Sequence, residues 1–349
     1  MSSHYNHLTY KLKERIYENN DKTIIIFKTR KKQTIKYIAV KAYSKKDHID
    51  TYDKEYKILK TISHPSIIKV LGSAEDKFNF YMEMDFCASG NLSNLIWKNK
   101  TNNYLEKVIK MVSTQLLLGL KKLHSNGIIH CNLKPSNIII NEFGNVKICD
   151  FKKALNSNEM TIQDIKKNKT AMTPCYTAPE LFSENGVYSF KSDLWALGCI
   201  MYEMAIGQVP FFEESVNKLI MKIINDDVNF NKKQFNQYST EFMDVLKKLL
   251  EKDPDKRPSW GEIENYPFWG LNYGNNNSNT YVKKRINSSI PNNRHFSLTD
   301  KESCEYMKRL IEIIGHSIID NIGLEIIICG NKFDIVQKNK GKRKTKIKN

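Results

Sequence analysis

The stretch His130-Cys131-Asn132-Leu133-Lys134-Pro135-Ser136-Asn137 brings an imidazole, a thiol, two side-chain amides and an ammonium into eight residues. A β-rich run, Ile138 to Ile140 and then Val146 to Cys149, separates it from Asp150-Phe151-Lys152. These residue types suit the handling of phosphate and a hard cation: amide and carboxylate oxygens are the donors that Mg²⁺ takes, and an ammonium offsets phosphate charge. One member is unsuited to proton transfer. The amide of Asn132 can orient a hydroxyl group but cannot accept its proton. A further ammonium stands upstream in Ile38-Ala39-Val40-Lys41, and a carboxylate downstream in Ala178-Pro179-Glu180. Each motif alone is commonplace, and only their order and spacing carry information.

In that order and spacing the motifs resemble the signature set of the eukaryotic protein kinases, of serine/threonine type. The resemblance runs from about Leu8 to Gly270. It implies an α+β, bilobal protein-kinase fold, with an N-lobe over 8–84, a hinge at 85–87 and a C-lobe over 88–270. It also implies that Lys41 grips the phosphates of ATP and pairs with Glu55, that Asn137 and Asp150 hold Mg²⁺, and that Asn132, with Lys134 nearby, occupies the position of the catalytic base. Met84 becomes the residue behind the adenine, with Asp85, Phe86 and Cys87 as the hinge. Leu59, Val70, His130 and Phe151 align the two lobes. Asp193 holds the backbone of the catalytic loop, and Arg257 pairs with Glu180. Within the family the chain resembles the Fused and ULK-type kinases, including their degenerate members. That likeness rests on Thr34-Ile35-Lys36-Tyr37-Ile38-Ala39, Thr173-Pro174-Cys175-Tyr176-Thr177-Ala178-Pro179-Glu180 and the run from Ser192 to Phe212.

Several positions depart from the family's pattern. Where kinases carry Gly-x-Gly-x-x-Gly over the phosphates, this chain has Asn19, Asp21 and Ile24, which read as an ordinary hairpin turn. Lys152 replaces the glycine of Asp-Phe-Gly, adding a Cβ where that turn needs freedom and a positive charge beside Asp150. Cys131 removes the arginine that senses a phosphorylated activation loop. Together with Asn132, these changes imply a pseudokinase that binds ATP weakly, with Mg²⁺ as an optional companion, and acts on protein partners as a regulator or scaffold. The alternative is a working serine/threonine kinase, and a third reading is a binder of nucleic acid or membrane acting through its basic tail.

Local patterns place these residues on definite elements. Tyr10 to Ile16 and Thr23 to Thr29 read as antiparallel strands around Glu18-Asn19-Asn20-Asp21, with further strands at Tyr37 to Lys41 and Phe80 to Phe86. Lys54 to Leu59 is helical, and a helix starts at Gly90-Asn91-Leu92. Apolar residues at 105, 108, 109, 112, 116, 117, 120 and 123 give Tyr104 to His124 the period of a buried helix. Ser192 is the expected cap of a helix ending near Gly207.

Of 349 residues, 40% are hydrophobic and 11% aromatic, enough for a two-lobed core without staples. Seven cysteines lack paired C-x-x-C spacing and follow no signal peptide, which points to a reduced compartment, the cytoplasm or nucleus. The absence of an uninterrupted apolar run of membrane-spanning length points to a soluble protein with no transmembrane segment. The net charge is +17, and residues 271–349 carry 15 Lys/Arg against 7 Asp/Glu. Residues 271–298 are Asn/Ser-rich and read as a linker. Thr299-Asp300-Lys301-Glu302 can open a helix, and Leu324 to Cys329 reads as a strand, so 299–337 forms a small helix/strand element. Residues 338–349 carry seven Lys/Arg and no acid. This basic tail is an import signal, a contact for an acidic partner (nucleic acid or anionic membrane), or a solvated end.

Overall fold

The computed structural model describes residues 12, 14–30, 36–98, 104–141, 144–159, 161, 173–271, 324–329 and 332–337. The chain divides into two compact units, one of residues 1–141 with 145–272 and the other of residues 142–144 with 273–349.

The first unit opens with five strands: β1 (Glu14–Glu18), β2 (Ile24–Arg30), β3 (Tyr37–Ser44), β4 (Val70–Glu75) and β5 (Asn79–Asp85). They form one antiparallel sheet in the order β1-β2-β3-β5-β4. Of the expected first strand, only Leu12 and residues 14–16 are described, and the observed strand starts at Glu14. β3 runs beyond Lys41 to Ser44, because Ala42, Tyr43 and Ser44 continue the pairing with β5 opposite Tyr81, Phe80 and Asn79. Side chains alternate across a strand. Ile38, Val40 and Ala42 therefore pack with Tyr81 in one cluster, while Lys41 and Tyr43 share the other face.

That other face is met by helix α1 (Lys45–Thr61), which buries Tyr52, Glu55 and Leu59 and kinks at His48, where φ is −137° and ψ 26°. Tyr52 stacks on Phe80 with ring centroids 4.6 Å apart. A charged residue buried in this helix needs a partner from the sheet, and β3 supplies it.

Beyond β5 the unit is mainly helical. After α2 (Leu92–Lys98) comes α3 (Glu106–His124), which buries Val108, Ile109, Val112, Leu116, Leu117, Leu120 and Leu123 as the apolar period requires. Leu105, the first residue of the expected stripe, sits at the helix N-cap and is exposed. Helix α4 (Phe190–Ile206) is buried almost all round, as expected of a helix with no polar face. Its cap is Ser189, three residues before the expected Ser192. Ser192 lies inside the helix as the return partner of a capping box, its hydroxyl accepting the Ser189 N–H at 3.0 Å. Gly207 ends the helix at φ 77°.

Two short antiparallel pairs carry the motif residues: β6 (Ile128–Ile129) with β9 (Leu155–Asn156), and β7 (Ile138–Ile140) with β8 (Val146–Ile148). The backbone of Ile148 also bonds Ser66 and Ile68 at 2.8 and 2.9 Å, tying this hairpin to the segment between α1 and β4. Arg257, 1% exposed, makes a two-pronged bond to Glu180 at 3.0 Å on each side.

In the second unit, β10 (Leu324–Cys329) pairs antiparallel with β11 (Lys332–Gln337), in register from Leu324 opposite Gln337 to Cys329 opposite Lys332. The linker, the helix expected from Thr299 and the basic tail lie outside the described residues. Among the described residues no helix is long and apolar enough to cross a membrane.

Candidate active site

Lys41 Nζ lies 2.9 Å from both carboxylate oxygens of Glu55 and 3.2 Å from Asp150 Oδ1. Lys41 and Glu55 are 4% and 1% exposed. A buried pair is retained only when its remaining donors and acceptors are also met. Here the Tyr43 hydroxyl and the Phe151 N–H (3.1 Å) both donate to Glu55. Tyr43 was not singled out in the sequence, although its place two residues after Lys41 on one strand is the signal that finds it. The ring of Phe151 meets His130 edge-on at 4.9 Å, and both are fully buried. Of the residues expected to align the lobes, Leu59 is also buried and Val70 is half-buried.

Asp193, buried at the start of α4, accepts the backbone N–H groups of His130 at 2.8 Å and Cys131 at 3.1 Å, and lies 2.9 Å from His124 Nε2. Those bonds hold Cys131 at φ 60°, a left-handed conformation that an L-residue adopts only when surrounding contacts fix it. The loop is closed further on, where Asn137 Nδ2 donates to the Asn132 carbonyl at 2.8 Å. Lys134 reaches Thr173 Oγ1 at 3.0 Å, a partner the sequence alone did not reveal. The loop is therefore held by its backbone at both ends, and the side chain it carries at position 132 is an amide, not an acid.

The turn between β1 and β2 is closed by its own side chains. Asn19 Oδ1 accepts the Ile24 N–H at 2.8 Å, the Thr23 hydroxyl donates to Asp21 at 2.8 Å, and His48 Nε2 lies 2.7 Å from the same hydroxyl. Asn19 N–H is also taken, by the Ile24 carbonyl at 3.1 Å. A phosphate cradle needs free N–H groups, and in this turn those of Asn19 and Ile24 are already bonded.

At the hinge, the Asp85 carboxylate lies 3.7 Å from both Lys36 and Lys147. Its side chain is thus engaged with lysines, and what it can offer a nucleotide is its backbone. Cys87 is buried, as is Met84 behind it.

Around Asp150 the charge is unusual. Lys152 Nζ stands 3.5 Å from Asp150 Oδ1, the oxygen that also faces Lys41. Burial alone would raise the Asp150 carboxyl, yet the Lys41 and Lys152 ammonium groups outweigh it and hold the pKa at about 2. Lys134 and Lys153 are both held below the ordinary lysine value, first by burial and then by neighbouring lysines. The expected strain from a Cβ at Lys152 is absent: the left-handed residue of this segment is Asp150 (φ 65°), while Lys152 lies in a 3₁₀ turn, Phe151–Lys153, without positive φ. What the substitution changes is charge. The oxygens of Asn137 and Asp150 are hard donors suited to Mg²⁺, but the ammonium groups do not fit it. A dication about 4 Å from one ammonium is opposed by roughly 8 kcal/mol at an effective dielectric of 20, before solvent screening at the partly exposed Lys152.

A sheet with one buried lysine–glutamate pair, set beside a helical part that carries an aspartate-anchored loop, defines a protein kinase. The protein kinase domain family matches residues 23–269, and the chain belongs to that family. Membership implies use of ATP and Mg²⁺ in general. RUNKEL, a serine/threonine-protein kinase of Arabidopsis thaliana, is 34% identical over 259 residues, which is 73% of this chain and 18% of that protein. TIO, also of Arabidopsis thaliana, is 36% identical over 249 residues, 70% of this chain and 18% of its own. Serine/threonine-protein kinase 36 of Mus musculus is 32% identical over 249 residues, with the same two shares. The domain is of serine/threonine type with a Fused-type likeness, and the chain matches less than a fifth of the length of these relatives.

Proposed function

We propose that the chain is a pseudokinase, a kinase-fold regulator or scaffold that binds ATP weakly and acts on protein partners. The observation that carries this is Asn132, set in a loop whose backbone Asp193 holds at His130 and Cys131. The loop is ordered for catalysis and lacks the proton acceptor. General base catalysis contributes about 10²–10⁴-fold, roughly 3–5.5 kcal/mol of barrier. The self-closed turn at Asn19 adds to the loss by leaving the γ-phosphate without a clamp. Nucleotide binding rests on Lys41, on the hinge backbone from Asp85 to Cys87 with Met84 behind it, and on Asp150.

A second reading, a slow serine/threonine kinase, is favoured by the intact Lys41–Glu55 pair and the assembled contact of His130 with Phe151. The basic run 338–349 is proposed to bind an acidic surface, nucleic acid or anionic membrane, independently of the kinase fold. Deleting it should then abolish salt-dependent binding to both probes.

Thermal shift tests the nucleotide part. ATP at about ten times its Kd stabilises by roughly 1.4 kcal/mol, and the shift should vanish in Lys41→Ala. No shift at about millimolar nucleotide would sink it.

A further inference from the structure

We propose that the cleft binds the polyphosphate of a nucleotide without a divalent cation, with the Lys152 ammonium taking the cation's place beside Asp150. The proposal rests on the reading of the cleft as a nucleotide site and adds to it how the phosphates are held.

The geometry carries it. Asp150 Oδ1 faces two ammonium groups, Lys41 at 3.2 Å and Lys152 at 3.5 Å. Lys152 is not an ordinary solvated lysine, since its side chain is 27% exposed. It follows Phe151, which is fixed by full burial and by its N–H bond to Glu55 at 3.1 Å. Lys134, anchored on Thr173, and Lys153, half-buried, interact electrostatically with Lys152 and Asp150. Among the described residues, Lys41, Lys152 and Lys134 thus act on the one Asp150 carboxylate, and Asn132 contributes no charge where an acid would have stood. A partly buried excess of positive charge is relieved by an anion rather than by a further cation. Metal-free triphosphate is more negative than its Mg²⁺ complex, and lysine binds phosphate as a point charge with no need of a bridging metal. The misfit of Mg²⁺ and the added ammonium beside Asp150 therefore meet at one residue, the lysine at position 152.

The test is calorimetric titration of the full chain with ATP, once in EDTA and once in excess MgCl₂, for the wild type, Lys152→Gln and Lys152→Arg. The wild type should bind metal-free ATP as tightly as the Mg²⁺ complex or more so. Lys152→Gln keeps a polar side chain, one atom shorter, and loses the charge. It should weaken metal-free binding by about tenfold and make Mg²⁺ strengthen binding, while Lys152→Arg keeps the wild-type preference. Thermal unfolding confirms that each variant is folded, and a Lys152→Gly variant replaces any that is not. Tighter binding with Mg²⁺ in the wild type, or unchanged metal-free affinity in the folded charge-free variant, overturns the proposal and leaves the nucleotide site standing. Absence of binding in both conditions overturns the proposal and the nucleotide site together.

Discussion

Asn19 Oδ1 accepts the backbone N–H of Ile24 at 2.8 Å, across the turn where other kinases keep glycines open to phosphate. Together with the Thr23 hydroxyl bonded to Asp21, this side-chain bond makes the turn a finished local structure. It exchanges a phosphate-binding capacity for a stable hairpin, as expected of an Asn able to bond to nearby backbone.

Asn19→Gly should therefore destabilise the fold by about 1 kcal/mol, the net worth of one such bond. Combined with Asp21→Gly it should also tighten ATP binding, because a carboxylate is removed and N–H groups are freed. Urea denaturation reads the first effect and nucleotide titration the second. A double variant that binds ATP no better than the wild type would remove the turn from the explanation.

Glu55 satisfies three partners at once: Lys41, the Tyr43 hydroxyl and the Phe151 N–H. Glu55→Ala leaves a buried ammonium with Asp150 alone, and should cost about 3–5 kcal/mol in denaturant unfolding. Breaking the partly exposed pair of Lys28 and Glu14, 3.2 Å apart, through Glu14→Ala should cost at most about 1 kcal/mol. Equal effects from the two changes would mean that the buried pair does not organise the site.

Much of this was legible in the residues. The apolar period of α3 foretold its buried face, and the motifs foretold the Lys41–Glu55 pair, the anchoring by Asp193 and the Arg257–Glu180 bond. The failures were local and have physical causes. Ser189 and Ser192 are both good caps by type, and only backbone geometry decides that the earlier one ends the strand-like approach while the later one bonds back to it. Lys152 reads from the sequence as both a steric fault, because a glycine is expected, and a positive charge beside Asp150, and only the second is seen. The left-handed residue is Asp150 instead, so the substitution acts through its charge. No sequence pattern announces that Asn19 will turn back on Ile24, or that Thr173 will meet Lys134 from 39 residues away.

His64 gives a dependence on pH. Its Nδ1 accepts the Ser66 N–H at 3.1 Å, which needs the neutral ring. Burial, with Lys122 and Lys147 adding to it, lowers its pKa from 6.5 to about 4. Between those values the unfolded chain takes up the proton and the folded chain does not, so the His64 contribution to stability falls as pH drops from 6.5 to 4 and levels off below. His64→Asn, which can keep the turn bond without titrating, should flatten that part of the profile. A His64 resonance titrating near 6.5 would contradict it.

The most direct measurement is phosphate transfer from labelled ATP, with the purified full chain, to itself and to a generic basic protein. Wild type should show none above an Asp150→Ala control. Asn132→Asp alone should stay near that level, because groups that act as a unit do not recover singly. Adding Asn19→Gly, Asp21→Gly and Lys152→Gly to it should raise transfer. Wild-type transfer clearly above the control, and abolished by Lys41→Ala, would contradict the pseudokinase reading and establish a kinase that works without the usual base.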